Sequence, residues 1–304
     1  MIESVPNCSE GRDEALIEQL TTALVSVHGV ALLDRHRDPD HHRCVLTVAG
    51  SMASVAEATC VLVDRAAACI DLTRHVGQHP RIGATDVLPF IPLRGSTMAD
   101  CIALAQRVGA RIGRELRIPV FLYGEACTRP FRKRLEQIRK GGCADLQERM
   151  ATDPAWAPDF GPARMHPTAG AIAVGARGPL IAYNVWLQSR DVSLAQAVAR
   201  TVRAANGGLP AVKAVGLTLK SQGLVQVSMN LTDYRQTPLH VAFEAVKHEA
   251  FRRGVAVVKS ELVGLIPQDA FAQAEGYALQ CDSLTHDHIV ENRLRQCGLG
   301  SVER

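Results

Sequence analysis

Three stretches of the chain concentrate side chains able to do chemistry. The first, Arg74-His-Val-Gly-Gln-His-Pro-Arg-Ile-Gly-Ala-Thr-Asp86, brings together two histidines, two arginines and an aspartate. Imidazole titrates near neutral pH and suits proton transfer, while guanidinium holds carboxylates bidentately. Gly77 and Gly83 free the backbone to bend. His79 is the candidate proton carrier here, with Arg74 and Arg81 as carboxylate clamps. A solvated loop of idle polar residues has the same composition, and spacing alone does not separate the two.

The second stretch is Asp34-Arg-His-Arg-Asp-Pro-Asp-His-His-Arg43, followed by Cys44. Its three histidines and three carboxylates raise the question of a metal. The spacing matches no closed zinc site, and the arginines, Arg43 among them, would repel a cation. No metal is therefore expected. A substrate-contact loop fits, with Arg43 clamping a carboxylate and Asp38 or Asp40 orienting His79. A charged hairpin tip without function fits as well. The third stretch is Gly161-Pro-Ala-Arg-Met-His-Pro-Thr-Ala-Gly170. Its small residues let a flat ligand approach the backbone, and Arg164 or His166 could meet an acidic tail. The glycines follow neither the dinucleotide-binding nor the phosphate-loop pattern.

These stretches need elements to hold them. In the first half a short extended start (2–6) leads into a helix with Leu16, Leu20, Ala23, Leu24 and Val27 at helical spacing. Strand patterns at 30–34 and 44–49 flank the polar loop 35–43. A helix over 51–72 has a capping-box spacing at Ser54 and Glu57. A strand over 87–92 carries two prolines, which predict an edge or a strand end. The second half repeats the order: a strand over 180–187, then a helix over 191–205 with Ser193 and Gln196 at capping spacing. Strands over 212–219 and 225–231 follow, then a helix from Thr237-Pro238 to Arg253 and a strand over 255–263. Two β-α-β-β-α-β units predict an α+β protein of two tandem ferredoxin-like α/β sandwich subdomains, divided as 1–179 and 180–304. Between them lies a connector with a helix (97–116), a strand (120–123), a basic helical stretch (131–140) and the proline-rich 154–162.

Composition narrows the class of protein. At 304 residues, 47% hydrophobic and 21% charged, the chain is an ordinary globular one with room for two domains. A net charge of +3 argues against nucleic acid or a membrane surface as partner. The nine cysteines form no C-x-x-C pair, which points to a reducing compartment. With no signal-peptide pattern at the start and no apolar run of roughly 18 residues, a cytoplasmic location is expected. The sequons at Asn7 and Asn230 are then accidental.

Taken together, these segments resemble the formiminotransferase domain of the formiminotransferase-cyclodeaminase family. The matching residues are Val5-Pro-Asn, Ser9-Glu-Gly, Leu32-Leu-Asp, Arg74-His, Gly77, His79-Pro-Arg, Gly83, Asp86 and Pro89-Phe-Ile-Pro92. They continue with Val120-x-Leu-Tyr-Gly-Glu-Ala126, Trp156-Ala-Pro-Asp-Phe-Gly-Pro162, Gln226-Val-Ser and Leu262-Val-Gly-Leu-x-Pro267. The resemblance spans nearly the whole chain. It implies transfer of a formimino group from formiminoglutamate to tetrahydrofolate, a co-substrate, in histidine degradation. It also implies a ligand tunnel between the two subdomains and a homodimer; the helical cyclodeaminase domain of the fused members is expected to be absent here, which leaves open whether a separate cyclodeaminase partners the chain. The family's catalytic histidine falls on His79, and its folate-binding segment on Gly161, Pro162, Ala163, Arg164, Met165, His166, Pro167, Thr168, Ala169 and Gly170. Two other activities fit the same residues: a glutamate formyltransferase using N-formylglutamate, and a non-catalytic folate-binding protein.

Overall fold

The structure, a computed structural model, describes residues 1–75, 81–219 and 221–299. The chain forms two compact units, Met1–Arg177 and Gly178–Arg304. It is a mixed α/β protein with one sheet in each unit.

In the first unit, β1 (Ile2–Ser4) and β2 (Asn7–Cys8) are halves of one strand interrupted at Val5-Pro6. They run between β4 (Arg43–Gly50) and β5 (Thr85–Pro92), and β3 (Val30–Asp38) lies outside β4. All these pairings are antiparallel. The stretch expected as a connector extends the same sheet: β6 (Val120–Gly124) and β7 (Ile172–Ala176) add in parallel beyond β5, giving seven strands. The first unit is therefore larger than the four-stranded sandwich expected.

Three helices, α1 (Glu14–Val25), α2 (Met52–Cys69) and α3 (Met98–Glu115), cover one face of that sheet. The period-two alternation of strands decides which side chains they meet. Val120 and Leu122 of β6 join the core beneath these helices, while Phe121 and Tyr123 join a second core on the opposite face. That second core holds Ile82, Ile138, Leu146 and Met150, and so docks α4 (Leu135–Arg139) and α5 (Gly142–Thr152) beside Ile82. Burying Leu146 completely contributes about 1.5–3 kcal/mol.

Several local expectations change. Strand β5 is internal rather than an edge, because Pro89 falls opposite the Val5–Pro6 break, where no ladder bond is lost. The loop expected at 35–43 is mostly strand, since β3 continues to Asp38. Ser51 rather than Ser54 caps α2, and Glu57 instead reaches across to Arg111 of α3 at 2.5 Å.

The second unit shows the order read from its sequence: β8 (Ile181–Leu187), α6 (Val192–Val202), β9 (Val212–Leu219), β10 (Leu224–Leu231), α7 (Leu239–Arg252) and β11 (Val257–Val263). Its four strands are antiparallel in the order β11-β8-β10-β9. Asp191, not Ser193, caps α6 by accepting the Ser193 amide, and Thr237 donates its hydroxyl to the Pro210 carbonyl instead of capping α7. Two short helices, α8 (Gln268–Ala274) and α9 (Val290–Gln296), follow β11. No helix among the described residues is long and apolar enough to cross a membrane.

Candidate active site

His79 falls within 76–80, outside the described residues, so the site is built from its flanks. On one side Leu72–Arg74 form a single 3-10 turn, capped by the Asp71 side chain, and His75 follows it. On the other side Arg81–Ala84 lead into β5.

The third sequence stretch is sewn onto both flanks. The Leu72 amide donates to the Thr168 carbonyl at 2.9 Å, the Ala84 amide to the Ala169 carbonyl at 2.9 Å, and the Ala171 amide to the Ile82 carbonyl at 2.7 Å. Two glycines make this approach possible. A Cβ on Gly170, whose φ is +71°, would lie 2.2 Å from the Ile82 oxygen, and one on Gly83 would lie 1.8 Å from the Ala171 oxygen. His166 closes the turn, its Nδ1 accepting the Ala169 amide at 3.0 Å and its backbone pairing with Gly170. With Nδ1 occupied, the proton of the neutral ring sits on Nε2. Burial lowers the His166 pKa and favours that neutral form. A cavity of about 330 Å³ opens beside the turn, lined by Arg117, Pro162, Arg164, Met165, His166 and Pro167.

The second stretch converges from the other side as the tip of the β3–β4 hairpin. Arg81 donates from Nη2 to the His41 carbonyl at 2.9 Å and from Nη1 to the His42 carbonyl at 3.2 Å. His75 Nε2 lies 3.2 Å from the same His42 carbonyl, and Arg81 Nη1 lies against both ring nitrogens, at 2.6 Å from Nδ1 and 2.5 Å from Nε2. The rings of His42 and His75 lie 4.0 Å apart, and His42 Nδ1 accepts the Gly11 amide at 3.1 Å. Burial and the Arg81 charge, with His42 behind them, push His75 down to about 4, so it is neutral at physiological pH. His42 is lowered too, by burial first; Glu10 pulls the other way, and Arg12 and Arg81 add smaller lowering contributions.

Asp38 is engaged within the hairpin. One carboxylate oxygen accepts the His41 amide at 2.8 Å and the other meets His41 Nδ1. Burial would raise the Asp38 carboxyl, but the His41 hydrogen bonds and the Arg43 charge more than reverse this and hold it below its ordinary value. His41 itself is only 2% exposed. Asp40 sits half-buried on the same tip, whereas Arg74 is exposed.

Two residues of the first stretch matter here that were given no role of their own. Asp86, 3% exposed, accepts the Ile82 amide at 2.7 Å and pairs with Arg139 at the end of α4. Arg139 lies in the basic stretch read only as helix, and nothing local connects it to a partner 53 residues earlier. The second is His75, which joins Arg81 to the hairpin. Arg43, expected as a clamp, is close enough to Asp38, Asp86, Arg81 and Arg139 to feel all four charges.

With this geometry in place, comparison with known proteins is direct. Residues 1–177 match the family model "Formiminotransferase domain, N-terminal subdomain", and 182–304 match "Formiminotransferase domain". The chain belongs to the formiminotransferase family. Two relatives named glutamate formimidoyltransferase, from Streptococcus pyogenes serotype M1 and Thermoplasma acidophilum, are each 42% identical over 97% of this chain and 98% of their own. A formimidoyltransferase-cyclodeaminase from Mus musculus is 38% identical over 99% of this chain and 57% of its own.

In this formiminotransferase chain the Trp156-Ala-Pro-Asp-Phe-Gly-Pro162 string has a structural task. Asp159 accepts the Leu122 amide at 2.7 Å and pairs at 2.9 Å with Arg132, which is 0% exposed. Arg132 also donates to the carbonyls of Ala155 and Ala157, and its guanidinium lies 4.9 Å from the Phe121 ring centre. The buried cation thus folds the string against β6, and the string delivers residues 161–170 to the site.

Proposed function

We propose that this chain is a glutamate formimidoyltransferase, moving the formimino group of N-formimino-L-glutamate to tetrahydrofolate in histidine degradation. One observation carries the reading: the 161–170 segment is hydrogen-bonded to both flanks of the residues that include His79. A ligand against that segment is thereby brought to the proton carrier. The names of the relatives at 42% identity point the same way. Small residues with Arg117 and Arg164 around the cavity suit a flat ring system with an acidic tail.

In this mechanism His79 is general base and then general acid. It takes the proton that the acceptor nitrogen sheds as it bonds to the formimino carbon. It then returns the proton to the glutamate nitrogen as the old carbon–nitrogen bond breaks. Such proton transfer contributes about 100- to 10,000-fold, and holding both substrates side by side contributes further. Arg81, fixed by two carbonyls and a histidine, ties His75 to the tip of the β3–β4 hairpin. The enzyme would act as a cytoplasmic homodimer and pass its product to a separate cyclodeaminase, an activity that the fused relatives name within one chain.

The test is a spectroscopic assay of purified protein with tetrahydrofolate and formiminoglutamate, whose product cyclises to a strongly absorbing methenyl form. N-Formylglutamate serves as the parallel donor. Turnover of the formimino donor is expected, with His79→Ala folded but deeply impaired. Turnover of the formyl donor alone, or folate binding without turnover of either, overturns the reading.

A further inference from the structure

The polar cluster behind the hairpin tip is not electrically closed. Three guanidiniums, those of Arg43, Arg81 and Arg139, stand against two carboxylates, those of Asp38 and Asp86. His75, beside Arg81, is neutral and alters nothing in this balance, and burial lowers His42 in the same direction. Most of the pairing capacity is already committed. Asp38 accepts from His41, Asp86 from Ile82 and Arg139, and Arg81 donates to two hairpin carbonyls. What remains is an excess of positive charge among these five groups and two buried donors, Arg43 Nε and Arg139 Nε, with no hydrogen-bond partner among the described residues. A buried guanidinium donor left unpaired is costly, and folded proteins normally satisfy it.

We propose that Arg139, acting with Arg43, binds one carboxylate of the donor substrate and so sets specificity for an acidic amino-acid skeleton. Guanidinium geometry fits the two oxygens of a carboxylate, and the desolvated setting strengthens the pair. Position agrees with this role. Arg139 is anchored on Asp86, which also holds the Ile82 amide, and Cys143 at the start of α5 contacts the Arg81 and Ile82 carbonyls. The α4–α5 corner is thus fastened to the segment that resumes after 76–80. Naming the anion as the donor's carboxylate rests on the transferase reading above.

The experiment compares Arg139→Gln and Arg139→Lys with the wild type in the transferase assay, using formiminoglutamate and its two mono-carboxamide analogues. For Arg139→Gln the KM for formiminoglutamate is expected to rise about 10- to 100-fold, the value of a charge-assisted bond, with kcat moving less and tetrahydrofolate affinity unchanged. Lysine, which keeps the charge but loses the fork, restores part of the loss. One of the two carboxamides is a correspondingly poor donor for the wild type, and Arg139→Gln no longer discriminates against it. An unchanged KM, or equal discrimination by both proteins, overturns the inference while leaving the transferase reading intact.

Because Arg139→Gln also strips Asp86 of its partner, the double variant Asp86→Asn/Arg139→Gln is measured beside it. A folded double variant with the same raised KM assigns the effect to the missing cation. If the wild type turns over no formimino donor, the transferase reading fails and the site is judged by calorimetry with glutarate. Weaker glutarate binding by Arg139→Gln then supports the anion site, and equal or absent binding overturns it.

Discussion

The amide of Leu72 donates to the carbonyl of Thr168 at 2.9 Å, across 96 positions of sequence. The next two links, Ala84 to Ala169 and Ala171 to Ile82, lie on the far side of the residues that include His79. The two flanks of 76–80 and the 161–170 segment are therefore mechanically one unit, and a change in either backbone is felt by the other.

Gly170→Ala tests this directly. Its φ of +71° costs a side-chain-bearing residue about 1–3 kcal/mol, and the new Cβ meets the Ile82 oxygen at 2.2 Å. The backbone carbonyl cannot rotate away without losing the Ala171 amide. Calorimetry is expected to show a melting point lowered by several degrees, with transfer activity falling further than stability alone explains. A variant with wild-type melting and rate would show that the two segments are not coupled.

Asp38→Asn removes the charge that accepts from His41 and faces Arg43. The loss expected at pH 7 is about 1–3 kcal/mol in urea unfolding. The pH dependence has a definite sign. The folded Asp38 carboxyl is held below its ordinary value, so its contribution is complete above about pH 4 and is lost as pH falls through the folded value. The wild type and Asp38→Asn should therefore converge in strong acid. A gap that stays constant down to acid pH would place the effect in packing rather than charge.

How much of this was legible beforehand depends on range. Period-two and helical spacing located the elements, because burial on one face leaves its mark on neighbouring residues; the second unit follows its pattern strand by strand. Pairing between distant strands leaves no such mark. Nothing near residues 120–124 or 172–176 announces that β6 and β7 join the first sheet in parallel. The same holds for the site. His79, Arg81 and Arg43 stood out by type and neighbourhood, and 161–170 weakly by its small residues and then by resemblance. Arg139 looked like any exposed basic helix residue until Asp86 was placed beside it. Asp38 or Asp40 was expected to orient His79, which lies outside the described residues; what the structure shows is the Asp38 carboxylate accepting from His41, three residues away.

His75 offers a spectroscopic reading of the hairpin clasp. Its pKa of about 4 means that between pH 4 and 6.5 the unfolded chain binds a proton that the folded chain refuses. Its contribution is complete above about pH 6.5 and shrinks as pH falls toward 4. Proton NMR titration should place the His75 ring near 4. Arg81→Gln should move it toward the ordinary value, since the Arg81 charge is the second cause after burial. A ring titrating near 6.5 in the wild type would mean that Arg81 does not contact it.

Arg132→Met asks whether the buried cation organises the string that leads to residues 161–170. The guanidinium is fully enclosed, with Asp159 and two carbonyls as partners, so methionine fills the volume and leaves Asp159 buried with its charge unmatched. Removing one partner of such a pair costs about 3–5 kcal/mol. Asp159→Asn in the same chain should recover part of that, because the stranded charge is then gone, and the recovery measures the coupling. The substituted asparagine retains a side-chain carbonyl that can still accept the Leu122 amide. Transfer activity should follow stability in this series, since neither residue reaches the cavity beside His166. If Arg132→Met lost activity with its urea midpoint unchanged, the string would have to act on the ligand directly rather than through the fold.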